Sequence, residues 1–146
     1  MPTSILTLYA ENRKEFERFV KFAVVGLIGA VIDVSILYVM HEIYGWPPIW
    51  ANTLSVSVAI LSNFTWNRLW TFPESRSRRK REQLVQFTLV NVIGLGINDV
   101  IVVGLEAVFA QFIAEPGDLF LAKFIAIGVV LFWNFGANRL WTYRGL

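Results

Sequence analysis

Four long apolar stretches, at residues 19–40, 49–70, 84–109 and 119–141, make up most of this chain. A helix needs about 20 mostly apolar residues to cross a hydrocarbon core about 30 Å thick, and each stretch reaches that length. Backbone in lipid must satisfy its own hydrogen bonds, so such stretches fold as helices and not as open strands. The links inside each pair are short and turn-forming. HEIYGWPP, with Gly45, Pro47 and Pro48, joins the first two, and AEPGD joins the last two. The predicted fold class is an all-α membrane protein whose four transmembrane helices form two helical hairpins.

Composition agrees with this and narrows the function. Of 146 residues, 55% are hydrophobic and only 16% charged, against about 25% charged in an ordinary soluble domain. There is no cysteine and a single histidine, His41, so neither thiolate chemistry nor a transition-metal site is expected. No nucleophile–base pair is visible either. The expectation is a protein that is not an enzyme, needs no cofactor and binds no nucleic acid.

Basic residues set the direction of insertion, because lysine and arginine favour the cytoplasmic side. Arg13, Lys14, Arg18 and Lys21 precede the first stretch. Arg68, Arg76, Arg78, Arg79, Lys80 and Arg81 lie at or after the end of the second, and Arg139 and Arg144 close the fourth. Only Lys123 lies near the other face. Both termini are therefore expected in the cytoplasm. RSRRKR, in the central loop, can also attract anionic lipid head groups. Residues 1–18 lack the layout of a signal peptide and read as a short interfacial helix with Phe16 turned toward lipid.

An internal repeat underlies the hairpins. Residues 62–72, SNFTWNRLWTF, are echoed at 133–143 by WNFGANRLWTY. A constant offset lays Asn63, Phe64, Asn67, Arg68, Leu69, Trp70 and Thr71 over Asn134, Phe135, Asn138, Arg139, Leu140, Trp141 and Thr142, and Ala51 over Ala122. In the preceding stretch, Phe22, Gly29 and Asp33 match Phe87, Gly94 and Asn98. Each copy has an even number of spans, so the repeats should be parallel, with a site between them. The expected division is repeat 1 at 19–72, a basic loop at 73–83 and repeat 2 at 84–144.

Polar residues at membrane depth are the candidate site. An ionisable group at a helix centre costs about 2.5 to 3.5 kcal/mol on insertion scales. Asp33 lies past the middle of its stretch, Asn98 and Asp99 lie at similar depth, and Lys123 is placed to neutralise Asp33 or Asp99. Asn63 with Asn67, and Asn134 with Asn138, are i, i+4 neighbours, and the four carboxamides are expected to cluster where the copies meet. Arg68 and Arg139 would reach head-group level, where a guanidinium suits a phosphate. Trp70 and Trp141 read as interfacial anchors. Gly26, Gly29, Gly94 and Gly96 read as points of close helix approach.

The pattern FxxVGxxGxxIDxxxL at 22–37, followed by SNFTWNRLWTF and the second NRLWTY, resembles the GtrA-like family of small four-span membrane proteins. The resemblance covers nearly all of 19–144. It implies translocation of a polyprenyl-phosphate-linked monosaccharide across the prokaryotic plasma membrane, for cell-surface polysaccharide synthesis or glycosylation. It also implies a polyprenyl-phosphate glycosyltransferase as partner, alongside membrane lipids, and leaves open a role as a non-transporting anchor for that enzyme. On that reading Arg68 and Arg139 hold the phosphate and Asn63, Asn67, Asn134 and Asn138 bond sugar hydroxyls. Asp33, Asn98 and Asp99 supply the next step outward, and Lys123 receives the phosphate on the far side. A bundle this thin is also compatible with a homodimer.

Overall fold

The computed structural model describes residues 5–115 and 117–145, all helical or in turns, with no strand among them. The chain divides into two compact units, Met1–Ser77 and Arg78–Leu146, with the division inside the stretch expected as a loop.

In the first unit, helix α1 (Ile5–Tyr38) runs into a π turn (Val39–Ile43), and α2 (Pro48–Trp66) runs into another (Asn67–Thr71) followed by a 3-10 turn (Pro73–Ser77). Residues 5–18 do not form a separate interfacial helix. They continue into α1 without a break, because no glycine or proline interrupts them before Gly26. At 1.5 Å per residue, α1 is about 50 Å long, more than a bilayer core requires. Gly45 reverses the chain at φ +67°, a conformation in which a Cβ would be strained. Pro48 then occupies the first turn of α2, where its missing N–H costs nothing.

The second unit repeats the plan with α3 (Lys80–Phe109), α4 (Gly117–Ala137) and a closing π turn (Asn138–Thr142). Close pairs run in opposite senses along the two helices of each unit. Phe22 meets Phe72 at 6.5 Å between ring centroids, and Phe87 meets Tyr143 at 6.3 Å. Gly29 lies against Asn63, and Gly94 against Asn134. Each unit is thus an antiparallel hairpin.

The buried positions carry the repeat further than the residue identities do. Arg18, Phe22, Val25 and Gly29 are buried on α1, and Gln83, Phe87, Val90 and Gly94 on α3, at one constant offset. Small and polar residues (Gly29, Ala51, Ser55, Ala122, Ala126, Gln83) share the interior with Phe22, Phe64, Phe87 and Tyr143, whereas Val31, Val34, Val100, Val103, Phe124 and Phe132 face outward. Small residues between the helices and large apolar side chains displayed on the outside suit helices solvated by lipid.

Among the described residues, three helical segments are long and apolar enough to cross a membrane: Ile5–Ile43, Lys80–Phe109 and Gly117–Thr142. The other expected span, at 49–70, is helical but falls short on composition. Asn52, Thr53, Ser55, Ser57, Ser62, Asn63 and Thr65 dilute it.

Candidate functional site

The two NRLWT sequences fold in the same way. Each ends its helix in a π turn, with Phe72 N–H donating to Asn67 O at 2.7 Å and Tyr143 N–H to Asn138 O at 2.8 Å. The threonine hydroxyl closes the turn from inside. Thr71 donates to Asn67 Oδ1 at 2.8 Å, and Thr142 to Asn138 Oδ1 at 2.7 Å. Both asparagines are buried, as are Phe72 and Tyr143 at 0% exposure. The wide turn swings the aromatic residue inward, onto Phe22 or Phe87. Asn67 and Asn138 thereby fix the helix end and hold their own oxygens. The echo marks the threonine as repeated, but its role and that of the final aromatic, Phe72 or Tyr143, come only from the packed turn.

One turn earlier, Asn63 and Asn134 do something different. A Cβ built on Gly29 would collide with the Asn63 carboxamide, and one on Gly94 would come within 2.6 Å of Asn134 Oδ1. Each asparagine therefore fills a notch that only glycine leaves. Asn63 Oδ1, Asn134 Oδ1 and Asp33 Oδ1 are buried without a hydrogen-bond partner, and a buried unpaired group costs about 1–3 kcal/mol. In each unit the i, i+4 asparagine face therefore points into its own hairpin. Gly26 and Gly96 meet nothing within 4 Å. Close approach belongs to Gly29 and Gly94 alone of the four.

The remaining candidates are more scattered. Arg68 and Arg139 are half-buried, and Arg68 Nη2 donates to Arg76 O at 3.0 Å. Asn98 Nδ2 donates to Asp99 Oδ1 at 3.2 Å, and Asp99 is exposed. Lys123 is exposed beside the buried Ala122. Among the described residues of its own unit it forms no ion pair within 4 Å with Asp99. The buried face of α4 runs through Asp118, Ala122 and Ala126 and leaves Lys123 off it.

A charged clamp that the sequence did not single out holds the NRLWT end of the first unit. Arg18, 5% exposed, donates to Glu15 Oε1 at 2.5 Å and Glu74 Oε1 at 3.3 Å. It also lies over the Phe72 ring at 5.9 Å. Lys14 reaches Glu74 at 3.0 Å, and Lys21 lies over the Trp70 ring at 5.5 Å. Burial works against ionisation of Glu74. Its backbone hydrogen bond, the Lys14 hydrogen bond and the charges of Arg18 and Lys14 outweigh that and hold the carboxyl below its ordinary value. In the second unit Arg78 takes over. It donates to Thr142 O at 2.7 Å, Trp141 O at 3.2 Å and Gln86 Oε1 at 3.4 Å, so one arginine of RSRRKR is a helix cap and not free surface charge. Above the first clamp, an apolar groove of about 400 Å³ is lined by Val24, Val25, Ile28, Trp66, Leu69 and Trp70.

This doubled hairpin has relatives. Residues 21–143 match the model of the family described as GtrA/DPMS, transmembrane domain.

The chain belongs to that family.

Among curated proteins, this GtrA/DPMS chain is 32% identical over 87 residues to a "Dolichol-phosphate mannosyltransferase" of Pyrococcus furiosus. That match takes in 60% of this chain and 24% of the relative, so the chain spans about a quarter of that enzyme. It is also 24% identical over 124 residues to "Uncharacterized membrane protein YngA" of Bacillus subtilis, covering 84% of this chain and 77% of that one. The matched family region takes in both hairpins and both NRLWT turns, in accord with the resemblance drawn from the motifs.

Proposed function

We propose that this GtrA/DPMS chain translocates a polyprenyl-phosphate-linked monosaccharide across the prokaryotic plasma membrane, for cell-surface polysaccharide synthesis or glycosylation. The observation that carries this reading is the set of buried acceptors inside otherwise apolar hairpins. A protein that only anchored a partner would have no use for them, and the asparagine acceptor is present in both copies, as Asn63 and Asn134. The Pyrococcus relative, by name, acts with a dolichol phosphate, which is the same class of lipid carrier.

On this reading Arg68 and Arg139 meet the phosphate at the NRLWT ends. The prenyl tail lies in the groove beside Leu69 and Trp70. Asn63, Asn134, Asp33, Asn98 and Asp99 offer polar contacts further in, with Asn67 and Asn138 acting through the shape of the turns, and Lys123 serves the opposite end. All four helices cross, with both termini in the cytoplasm. The polarity of α2 is partly masked, because Thr53, Ser57 and Thr65 donate to carbonyls of their own helix at 2.7, 2.6 and 2.7 Å. A glycosyltransferase on the cytoplasmic side would load the carrier, and a homodimer would thicken the bundle. The test is outward movement of a polyprenyl-phosphate hexose in reconstituted vesicles, followed by a membrane-impermeant oxidant. Arg68→Ala with Arg139→Ala should abolish movement at unchanged protein abundance, and undiminished movement would defeat the proposal.

A second reading, a non-transporting subunit that recruits such an enzyme, draws support from the Pyrococcus relative, three quarters of which lies outside the match. Replacing Arg79, Lys80 and Arg81 by glutamine, while sparing the cap Arg78, separates the two. A recruiter should lose its enzyme, whereas a translocator in vesicles should keep working.

A further inference from the structure

One face of α1 changes character over a single turn. Lys14, Arg18 and Lys21 are followed at helical spacing by Val24, Val25 and Ile28. The charged half, with Glu17, Trp70 and Glu74, lines a polar pocket of about 100 Å³ at the NRLWT end of the first hairpin. The apolar half lines the groove of about 400 Å³. Trp70 borders both, with the Lys21 ammonium 5.5 Å from the centre of its ring. Pocket and groove therefore adjoin as one cleft, charged at one end and apolar along the rest.

The cations of the pocket are not equally committed. Arg18 is buried and holds both Glu15 and Glu74. Lys14 and Lys21 pair instead with partly exposed carboxylates, Glu74 at 3.0 Å and Glu17 at 3.1 Å. Pairs of that kind are screened by solvent and give way at little cost. When Lys14 turns to another anion, Glu74 keeps Arg18, and when Lys21 turns, Glu17 stands in water. The second hairpin is built differently at the matching place. Gln83 and Gln86 stand where the first has Arg18 and Lys21, and Arg78 is bonded across that end, to Trp141 O, Thr142 O and Gln86 Oε1.

We infer that the first hairpin alone holds the sugar-free carrier, a prenyl phosphate monoester, with Lys14 and Lys21 on its phosphate and Trp70 and the groove on its chain. Charge selects the monoester. It carries about 1.5 to 2 negative charges at neutral pH, which two ammoniums match, whereas a sugar conjugate is a diester with a single charge. Room agrees with charge. A cavity of about 150 Å³ is filled by one benzene, and this pocket is smaller, so the hexose of a conjugate would stand outside it. A single groove also suits one chain better than the paired tails of a phospholipid. This inference rests on the lipid-carrier part of the proposed function and goes beyond it. The chain that moves the loaded carrier also keeps the unloaded one, at one site per molecule and through residues that the repeat does not duplicate.

The test measures binding to the full chain in nanodiscs of neutral lipid. A short-chain prenyl alcohol, its phosphate and its phosphate-linked hexose are titrated in turn, with tryptophan fluorescence as the readout. The phosphate should bind about tenfold more tightly than either of the others, as expected for charge-assisted bonds at a partly screened site. Lys14→Gln combined with Lys21→Gln should erase that advantage and leave prenyl alcohol binding as it was, which reports an intact groove. Lys80→Gln with Arg81→Gln removes the same charge from the central loop and should change nothing. An advantage that survives loss of both lysines, or that falls equally in the loop control, would overturn the inference. So would equal affinity for the phosphate and the hexose conjugate. Displacement of prenyl phosphate by an equal amount of phosphatidylglycerol would overturn it too, by making the site a general one for anionic lipid. Outward movement of the hexose conjugate in vesicles separates the two proposals. If movement persists while the phosphate gains nothing, this inference fails by itself. If prenyl compounds neither bind nor move, both fail.

Discussion

Thr71 and Thr142 each commit a hydroxyl to the asparagine one turn earlier, and the whole NRLWT motif depends on that bond. Thr71→Val strands Asn67 Oδ1 in a buried site, so it should lower stability to unfolding by about 1–3 kcal/mol. Thr65→Val is the matched control. Its exposed hydroxyl bonds only Leu61 O, and its loss should stay within about 0.5 kcal/mol. Thermal unfolding in detergent reads both. The glycines make a second contrast at this scale. Gly29→Ala must displace Asn63 and should cost about 1–3 kcal/mol by overpacking. Gly26→Ala enters open space and should be neutral or stabilise α1 by up to about 1 kcal/mol.

Between elements, the clamp of Lys14, Arg18 and Glu74 ties the N-terminal turns of α1 to the Pro73–Ser77 turn. The Glu74 carboxyl is held below its ordinary value of 4.5 in the folded chain. Its contribution is therefore present above the unfolded value and is lost as pH falls through the folded one. Glu74 is partly exposed, so solvent screening limits the contribution to about 0.2–1 kcal/mol. The difference in unfolding stability between the native chain and Glu74→Gln should be constant near neutral pH and shrink toward zero in acid below about pH 4.5. A difference that grows in acid would contradict the clamp. The matching cap in the second unit is one residue, Arg78, whose replacement by glutamine should loosen the Asn138–Thr142 turn. Faster hydrogen exchange at Tyr143 N–H would show it.

For the molecule as a whole, the proposed crossing of α2 beside α1, α3 and α4 has a direct test. The absence of cysteine makes single-cysteine labelling clean. Cysteines at Gln111 in the second hairpin loop and at Tyr44 in the first should react with an impermeant thiol reagent from one side of a sealed vesicle. One at Arg79 should react from the other. Tyr44 reacting from the same side as Arg79 would mean that the first hairpin does not span. At this scale the outward display of Val34, Val100, Phe124 and Phe132 is the expected solvent interface of a chain bathed in acyl tails, not a set of vacant docking patches.

Sequence alone determined the helical class, the membrane setting and the doubling of one hairpin, because apolar length, turn residues and an echoed motif are local properties. It also pointed to the family through its doubled motif. It did not determine which way each helix turns. On a helix surrounded by lipid every face is apolar, so hydrophobic periodicity no longer marks the inner side. Only the packed hairpin placed Asn63 in the notch of Gly29, left Gly26 open and turned Asn67 inward to its threonine. The same packing made Arg18 and Arg78 internal clamps where the linear reading saw surface charge. It also left Lys123 off the buried face of α4, since burial depends on rotation about the helix axis and the sequence records only position along it.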